Sequence, residues 1–526
     1  MNLNEIGAID KASRSTRREL LRFGLAFLFV LGVAMFTWIT QGHISSVMVF
    51  AAVIGAYMAM NIGANDVANN VGPAVGSKAL TMGGAIAIAA IFEAAGAIIA
   101  GGEVVTTIKG GIIDPAAIGD PMIFVWLMMA ALLAAAIWLN LATALGAPVS
   151  TTHSIVGGVL GAGVAAAGWG IANWSTVGQI VASWVISPLL GGLISAALLY
   201  LIKRSITYQG DLLAAAKRRV PWFLALMAWA FATYLVIKGL KKIIEIPFVG
   251  AVAIGLVVAT AVFFLVRPMV TRTADRMEEN NKASVNRLFV LPLVFAAALL
   301  SFAHGSNDVA NAVGPLAAIN DALTQAGTAA SAAIPLWVLL VGALGLAVGL
   351  ALYGPKLIRT VGNEITDIDP MRAYCIALAA ALTVILASQL GLPVSTTHVT
   401  IGAVFGVGFL REYIKSNYDR IEQQVRDLHP ANGDDEVMHE YLERFRAAPL
   451  KQKEQMIKEL KKKSARRQVH ISKRQRKGLK KIYKRELVKR SMLFKIAAAW
   501  VITVPATAGL AATFFFLISS LMLVTV

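Results

Sequence analysis

Long apolar runs alternate with short polar links along the whole chain. A membrane-crossing helix needs roughly 20 mostly apolar residues. Thirteen such runs stand out, beginning near Gly24, Ser46, Met82, Pro121, Thr151, Val177, Val220, Phe248, Leu288, Ala333, Pro370, Thr396 and Met492. The pattern predicts an all-α polytopic membrane protein with about 12–13 transmembrane spans. Composition agrees. Of 526 residues, 57% are hydrophobic and 15% charged, against roughly a quarter charged in soluble domains. The single cysteine, Cys375, excludes an internal disulfide framework and any Cys-rich metal site, and reads as a small packing residue.

The formal net charge of +18 is concentrated. Between Lys451 and Arg490, 18 Lys and Arg face three acids, a net of +15. Such a run reads as a cytoplasmic loop obeying the positive-inside rule. It lacks the zinc-finger spacing and aromatic interleaving of a nucleic-acid module, so no nucleic-acid partner is expected. Basic clusters also occupy the N-terminal tail (Lys11 to Arg22), the link after the sixth run (Lys203 to Arg219) and the link after the eighth (Arg267 to Arg287). With the N-terminus inside, even-numbered spans end inside, so all four clusters are cytoplasmic and the C-terminus lies outside. The patch Lys238, Lys241, Lys242 falls outside and dissents. The first run follows Arg17, Arg18 and Arg22 without a clear cleavage site, and is expected to be a retained helix rather than a signal peptide.

Two motifs occur twice. Gly63-Ala-Asn-Asp-Val-Ala-Asn-Asn-Val-Gly-Pro73 returns as Gly305-Ser-Asn-Asp-Val-Ala-Asn-Ala-Val-Gly-Pro315, and Gly146-Ala-Pro-Val-Ser-Thr-Thr-His153 returns as Gly391-Leu-Pro-Val-Ser-Thr-Thr-His398. A looser pair is Trp184-Val-Ile-Ser-Pro188 with Trp500-Val-Ile-Thr-Val-Pro505. The copies begin seven spans apart, an odd shift, so the second is expected to cross the membrane in the opposite direction. Inverted-topology repeats, with broken or half helices meeting at the membrane midplane, are the architecture of secondary transporters. The expected divisions are an N-terminal tail with an extra first helix (1–44), transport repeat 1 (45–202), a linker of two helices (203–287), the first part of repeat 2 (288–410), a basic cytoplasmic insertion (411–490) and the helix completing repeat 2 (491–526).

The duplicated motifs carry the chemistry. In each Pro-Val-Ser-Thr-Thr-His, Ser150 or Ser395 is a good N-cap, with Thr151 and Thr152, or Thr396 and Thr397, in the first turn. Hydroxyls around a helix mouth with unpaired N–H groups form an oxyanion site. In the octads, the eight residues 63–70 and 305–312 that open the two Gly-x-Asn-Asp-Val-Ala-Asn strings, Asp66 and Asp308 are costly in apolar surroundings and therefore functional candidates. With Asn65, Asn69, Asn307 and Asn311 they offer hard oxygen donors for a cation such as sodium. Their glycines are expected to permit helix breakage, freeing carbonyls for coordination. Glu93 is a further cation ligand or proton carrier, the alternative being a structural pair with Lys78 or Lys109. Asn61, Ser301, Asn140, Glu103 and Gln389 are weaker candidates. His153 and His398 either titrate or pack.

The paired octads, the paired Pro-Val-Ser-Thr-Thr-His motifs and Trp184 to Pro188 resemble those of the inorganic phosphate transporter (PiT) family, over about 45–202 and 288–526. The resemblance implies a cation symporter importing inorganic phosphate, without a bound cofactor. It implies phosphate held by Ser150, Thr151, Thr152, Ser395, Thr396 and Thr397, and a cation bound around Asn65, Asp66, Asn307 and Asp308, with Glu93 in the pattern. The first octad is similar to that of the sodium-coupled branch, with a proton as the other candidate. One departure is Ala377, where sodium-coupled animal relatives carry Glu. The location implied is the inner (plasma) membrane, multi-pass in the lipid bilayer, and a homodimer is compatible with it. Sulfate or another tetrahedral oxyanion is the alternative substrate, and a passive channel would not require the paired acids. An enzyme is disfavoured, because neither a Walker phosphate loop nor His-Glu-x-x-His occurs.

Overall fold

The computed structural model describes residues 3–41, 46–145, 147, 149–239, 244, 246–324, 334–362, 368–427 and 490–524. Most of the basic insertion, 428–489, lies outside these, as do Gly146 and Pro148 of the first hydroxyl motif. The described residues are helical apart from short links and one isolated bridge between Ile113 and Ala172.

Every expected span has a helix: α1 (Leu3–Gln41), α2 (Ser46–Gly76), α3 (Met82–Ala100), α5 (Pro121–Leu145), α6 (Thr151–Ala167), α7 (Trp174–Ile202), α8 (Leu212–Gly239), α9 (Phe248–Asp275), α11 (Val290–Asp308) continued by α12 (Ala310–Thr324), α13 (Leu336–Gly362), α14 (Pro370–Gln389), α15 (Thr396–Asp427) and α16 (Arg490–Val524). The short α4 (Gly102–Thr106) and α10 (Lys282–Leu288) complete the set. Eleven of the described helices are long and apolar enough to cross a membrane. The two that fall short, α6 and α15, both begin at the Ser-Thr-Thr motifs. Helix α6 has only 17 residues, and α15 turns charged at Arg411 and Glu412. Both start beside a serine buried inside the bundle, which leaves α6 short and leaves α15 only the apolar stretch before Arg411.

Local sequence explains the helix starts. Asp369 caps α14, accepting the Arg372 N–H at 3.0 Å, with Pro370 in the first turn. Asn173 caps α7 and Thr81 caps α3. Gly391 takes φ +64° in the turn from α14 to α15, a conformation costly for any residue with a Cβ.

The two copies of the repeat interlock. Helix α2 packs along α13 and α11 along α3, while α6 packs along α16 and α15 along α7. In each case the two partners belong to different copies, and exchanging the copies turns one pairing into the other. Helices α8 and α9, from the link between copies, pack on each other. The apolar interior falls into two clusters, one around Met58, Leu127, Met128, Ile155 and Leu346, the other around Leu199, Phe302, Tyr374 and Val399. Cys375 is fully buried within the second, as a packing residue. Outward faces are apolar as well: Leu256, Val257, Phe264 and Leu265 of α9 are exposed, as expected where the solvent is lipid.

The octad glycines act differently from expectation. Helix α2 runs unbroken through its octad, and in the second copy the break falls after Asp308, at Val309, not at a glycine. A Cβ on Gly63 would lie 2.1 Å from the Leu346 carbonyl oxygen, and one on Gly305 would lie 2.0 Å from that of Glu93. These glycines let backbones of opposite copies touch, which is how helices associate where the hydrophobic effect is weak.

Candidate functional site

The four duplicated segments converge. Asp66 and Asp308 are at most 1% exposed, and all six motif hydroxyls are buried with them. Ser150 caps α6 by accepting the His153 N–H at 3.1 Å, and Ser395 accepts the His398 N–H at 3.3 Å at the start of α15. The threonine that follows each serine turns to the aspartate of its own copy. Thr151 donates to Asp66 Oδ2 at 2.9 Å, and Thr396 to Asp308 Oδ2 at 2.8 Å. The next threonine meets the asparagine of the other copy. Asn69 Nδ2 donates to the Thr397 hydroxyl at 2.7 Å, and Asn311 Nδ2 to the Thr152 hydroxyl at 3.3 Å. Thr397 in turn donates to Asp66 Oδ1 at 3.0 Å, while Thr152 donates to the Val394 carbonyl at 3.0 Å.

Asn65 and Asn307 hold these helix starts in place. Asn307 donates to the Leu392 carbonyl at 3.2 Å and to Ser388 Oγ at 2.9 Å, and accepts the Val394 N–H at 3.3 Å. Asn65, oriented so that both ends of its amide are satisfied, donates to the Val149 carbonyl at 3.1 Å and to Asp66 Oδ1 at 3.2 Å, and accepts from Thr143 at 3.0 Å. The hydroxyls expected to hold an anion and the acids expected to hold a cation thus form one continuous network.

Glu93 joins it from α3. Its Oε1 accepts from Asn70 at 2.7 Å and lies 3.2 Å from His304 Nδ1. The other ring nitrogen of His304 lies 3.0 Å from Asp308 Oδ2 and 3.6 Å from Asp66 Oδ2. Asp66, His304 and Asp308 offer ligand atoms all within 4.8 Å of one another. Glu93 Oε2, Asn70 Oδ1, Asp308 Oδ1 and Asn311 Oδ1 are buried without a hydrogen-bond partner among the described residues. Burying such oxygens is costly unless something satisfies them, and as hard donors they suit a hard cation.

The weaker candidates lie elsewhere. Asn140 donates to Asn61 at 3.3 Å, and Asn61 to the Tyr57 carbonyl at 2.8 Å, a pair apart from the acids. Glu103 pairs with Lys238 at 3.0 Å, and Gln389 ends α14. Ser301 is buried one turn before Gly305. Lys109 pairs with Asp321, not with Glu93. Both members of that pair are buried, so removing one leaves an uncompensated charge. Lys109→Met is therefore expected to destabilise by about 3–5 kcal/mol, and Lys109→Met with Asp321→Leu to recover most of it. Thermal unfolding of the purified variants checks this, and equal loss in single and double variants would sink it. His153 and His398 face each other at 4.4 Å, with Trp184 at 3.7 Å from His153, and Trp184 donates to the Pro393 carbonyl at 3.2 Å. They buttress the helix starts rather than line the acidic cluster.

Sequence reading missed His304, Asn70, Thr143 and Ser388. A signal existed for three of them. Ser388 follows Thr143 by the spacing that relates the hydroxyl motifs, and His304 stands four residues before Asp308 in an otherwise apolar run.

The model of the phosphate transporter family matches residues 62–511. A Helicobacter pylori (strain J99) protein described as "Putative phosphate permease" is 53% identical over 98% of both chains. A Pyrococcus abyssi protein of the same description is 39% identical over 69% of this chain and 89% of its own. Among solved structures, one described as "The sodium-dependent phosphate transporter" is similar with a TM-score of 0.73 and 31% identity, covering 90% of this chain and 99% of its own. These relatives are transporters, in keeping with the expectation that the chain is not an enzyme.

Proposed function

The chain belongs to the phosphate transporter family, and from that premise we propose that it imports inorganic phosphate by symport with sodium through alternating access. Phosphate is held by Ser150, Thr151, Thr152, Ser395, Thr396 and Thr397, and sodium by Asp66 and Asp308 with Asn65, Asn69, Asn307, Asn311 and Glu93. The observation that carries this reading is the direction of the hydroxyl protons. Thr151 and Thr397 both donate to Asp66, and Thr396 donates to Asp308. A hydroxyl has one proton to give. While it serves a carboxylate it cannot serve a phosphate oxygen. A sodium ion on those carboxylates competes for the same lone pairs, frees the hydroxyls to turn towards the anion, and offsets the cost of bringing a dianion inside. Coupling is thus ordered, cation first.

Alternating access draws support from the pairings exchanged between the copies, which suit two inverted halves rocking about a shared site. The two halves are repeat 1 (45–202) and repeat 2 (288–410 with 491–526). The N-terminus and the 411–490 loop face the cytoplasm of a cell with this protein in its inner membrane.

The test is radiolabelled phosphate uptake into proteoliposomes under an imposed sodium or proton gradient, with excess unlabelled sulfate as competitor. Sodium-driven uptake that sulfate leaves unchanged is expected. Uptake driven only by protons would reassign Asp66, Asp308 and Glu93 as proton carriers, and competition by sulfate would overturn the substrate.

A further inference from the structure

A basic cavity lies away from the transport network. Where α7 passes through a π-helical turn (Lys203–Thr207) towards α8, a cavity of about 440 Å³ is lined by Arg204, Ser205, Gln209, Arg218 and Arg219, with Leu201 on its apolar side. Three guanidinium groups therefore share one concavity that no carboxylate lines. Two of them bond neutral groups. Arg204 Nη1 donates to the Tyr200 phenol at 3.4 Å, and Arg218 Nε to the Ala214 carbonyl at 3.3 Å. The nearby acids are committed elsewhere. Asp211 accepts from the Ala214 N–H at 2.9 Å and from Asn280 at 2.9 Å, and Asp275 pairs with Lys217. Like charges gathered without a counterion are unfavourable unless an anion joins them, and guanidinium forks match phosphate oxygens in pairs.

The flanking residues fix the depth of the cavity. Tyr200 lies one helical turn before Arg204, and Trp222 one turn beyond Arg218 on α8, both exposed, as is Leu201. Exposed Tyr and Trp at the ends of apolar helices mark the level of lipid head groups. The Lys/Arg distribution puts this end on the cytoplasmic side, where basic pockets between spanning helices bind anionic head groups.

We propose that this cavity binds a phosphate-bearing anion, in the form of the head group of an anionic phospholipid. The phosphodiester sits among Arg204, Arg218 and Arg219, Gln209 offers the second N–H of an amide that already donates to the Arg204 carbonyl at 2.8 Å, and the acyl chains run along Leu201 and Trp222. The transport site does not overlap it, so the proposal stands independently of the coupling ion.

Native mass spectrometry of the purified full-length protein tests it, with added phosphatidylglycerol, phosphatidylcholine or inorganic phosphate as separate probes. Retention of phosphatidylglycerol over phosphatidylcholine is expected, falling by at least about tenfold in the triple variant Arg204→Gln, Arg218→Gln, Arg219→Gln. The matching triple Arg→Lys variant keeps the charge and is expected to retain an intermediate preference, which separates loss of the site from loss of the fold. Unchanged lipid retention in the glutamine variant overturns the proposal. So does release of bound phosphatidylglycerol by millimolar inorganic phosphate, which would assign the cavity to the free ion.

Discussion

Asp66→Asn is expected to lower sodium-driven phosphate uptake by about a hundredfold or more while the protein remains folded. Asp66 accepts from hydroxyls on both helix starts, Thr151 of its own copy and Thr397 of the other. Hydrogen bonds to a charged acceptor are worth about 1.5–3 kcal/mol each, and asparagine brings neither the charge nor a second acceptor oxygen. On the proposed mechanism, with the charge gone sodium no longer displaces the threonine protons from the carboxylate, so the release of the hydroxyls to phosphate is lost together with the cation site. Asp308→Asn removes one such contact, that of Thr396, and is expected to cost less. The measurement is initial uptake rate against sodium concentration in proteoliposomes of equal protein content. Uptake by Asp66→Asn within about threefold of wild type, with unchanged sodium dependence, would sink the ordered mechanism.

Gly305→Ala is the second large effect. The added Cβ would meet the Glu93 carbonyl oxygen at 2.0 Å, a contact backbone must move to relieve. Overpacking of this kind costs about 1–3 kcal/mol where side chains can yield. Here a helix backbone must yield, so a cost at or above the top of that range is expected. The shift falls on Glu93 and, through it, on His304 and Asn70, so uptake is expected to fall even in the fraction that folds. Size-exclusion chromatography reports the folded fraction, and uptake per folded molecule reports the site. Wild-type values for both would show that α3 and α11 separate freely.

Most of the architecture was legible because membrane helices obey a one-dimensional rule. About 20 apolar residues must come in succession, and each expected span from Gly24 to Met492 has its helix. The duplicated motifs were equally plain, since identical short strings need no folding to be seen. They brought Asp66, Asp308 and the six hydroxyl residues to notice, and all of them are buried, the four threonines bonded to the motif acids or asparagines and the two serines capping their helices. The role of the glycines was not legible. A glycine beside Asn and Asp reads equally well as a helix break or as a close contact. Only the distance to the Leu346 or Glu93 carbonyl separates the two.

The partners of Glu93 show the same limit. Lys78 and Lys109 were reasonable by charge, yet Lys109 is taken by Asp321 and Glu93 meets His304, 211 positions along the chain. What the sequence by itself determined is the class of molecule, its helices and the chemical types at its centre, since these follow from local composition and from repetition. Only the tertiary structure decided which threonine gives its proton to which aspartate, because hydrogen bonds are directional and hold only within about 3 Å. That reach is set by how α2, α6, α11 and α15 cross, and residue spacing along the chain does not contain it.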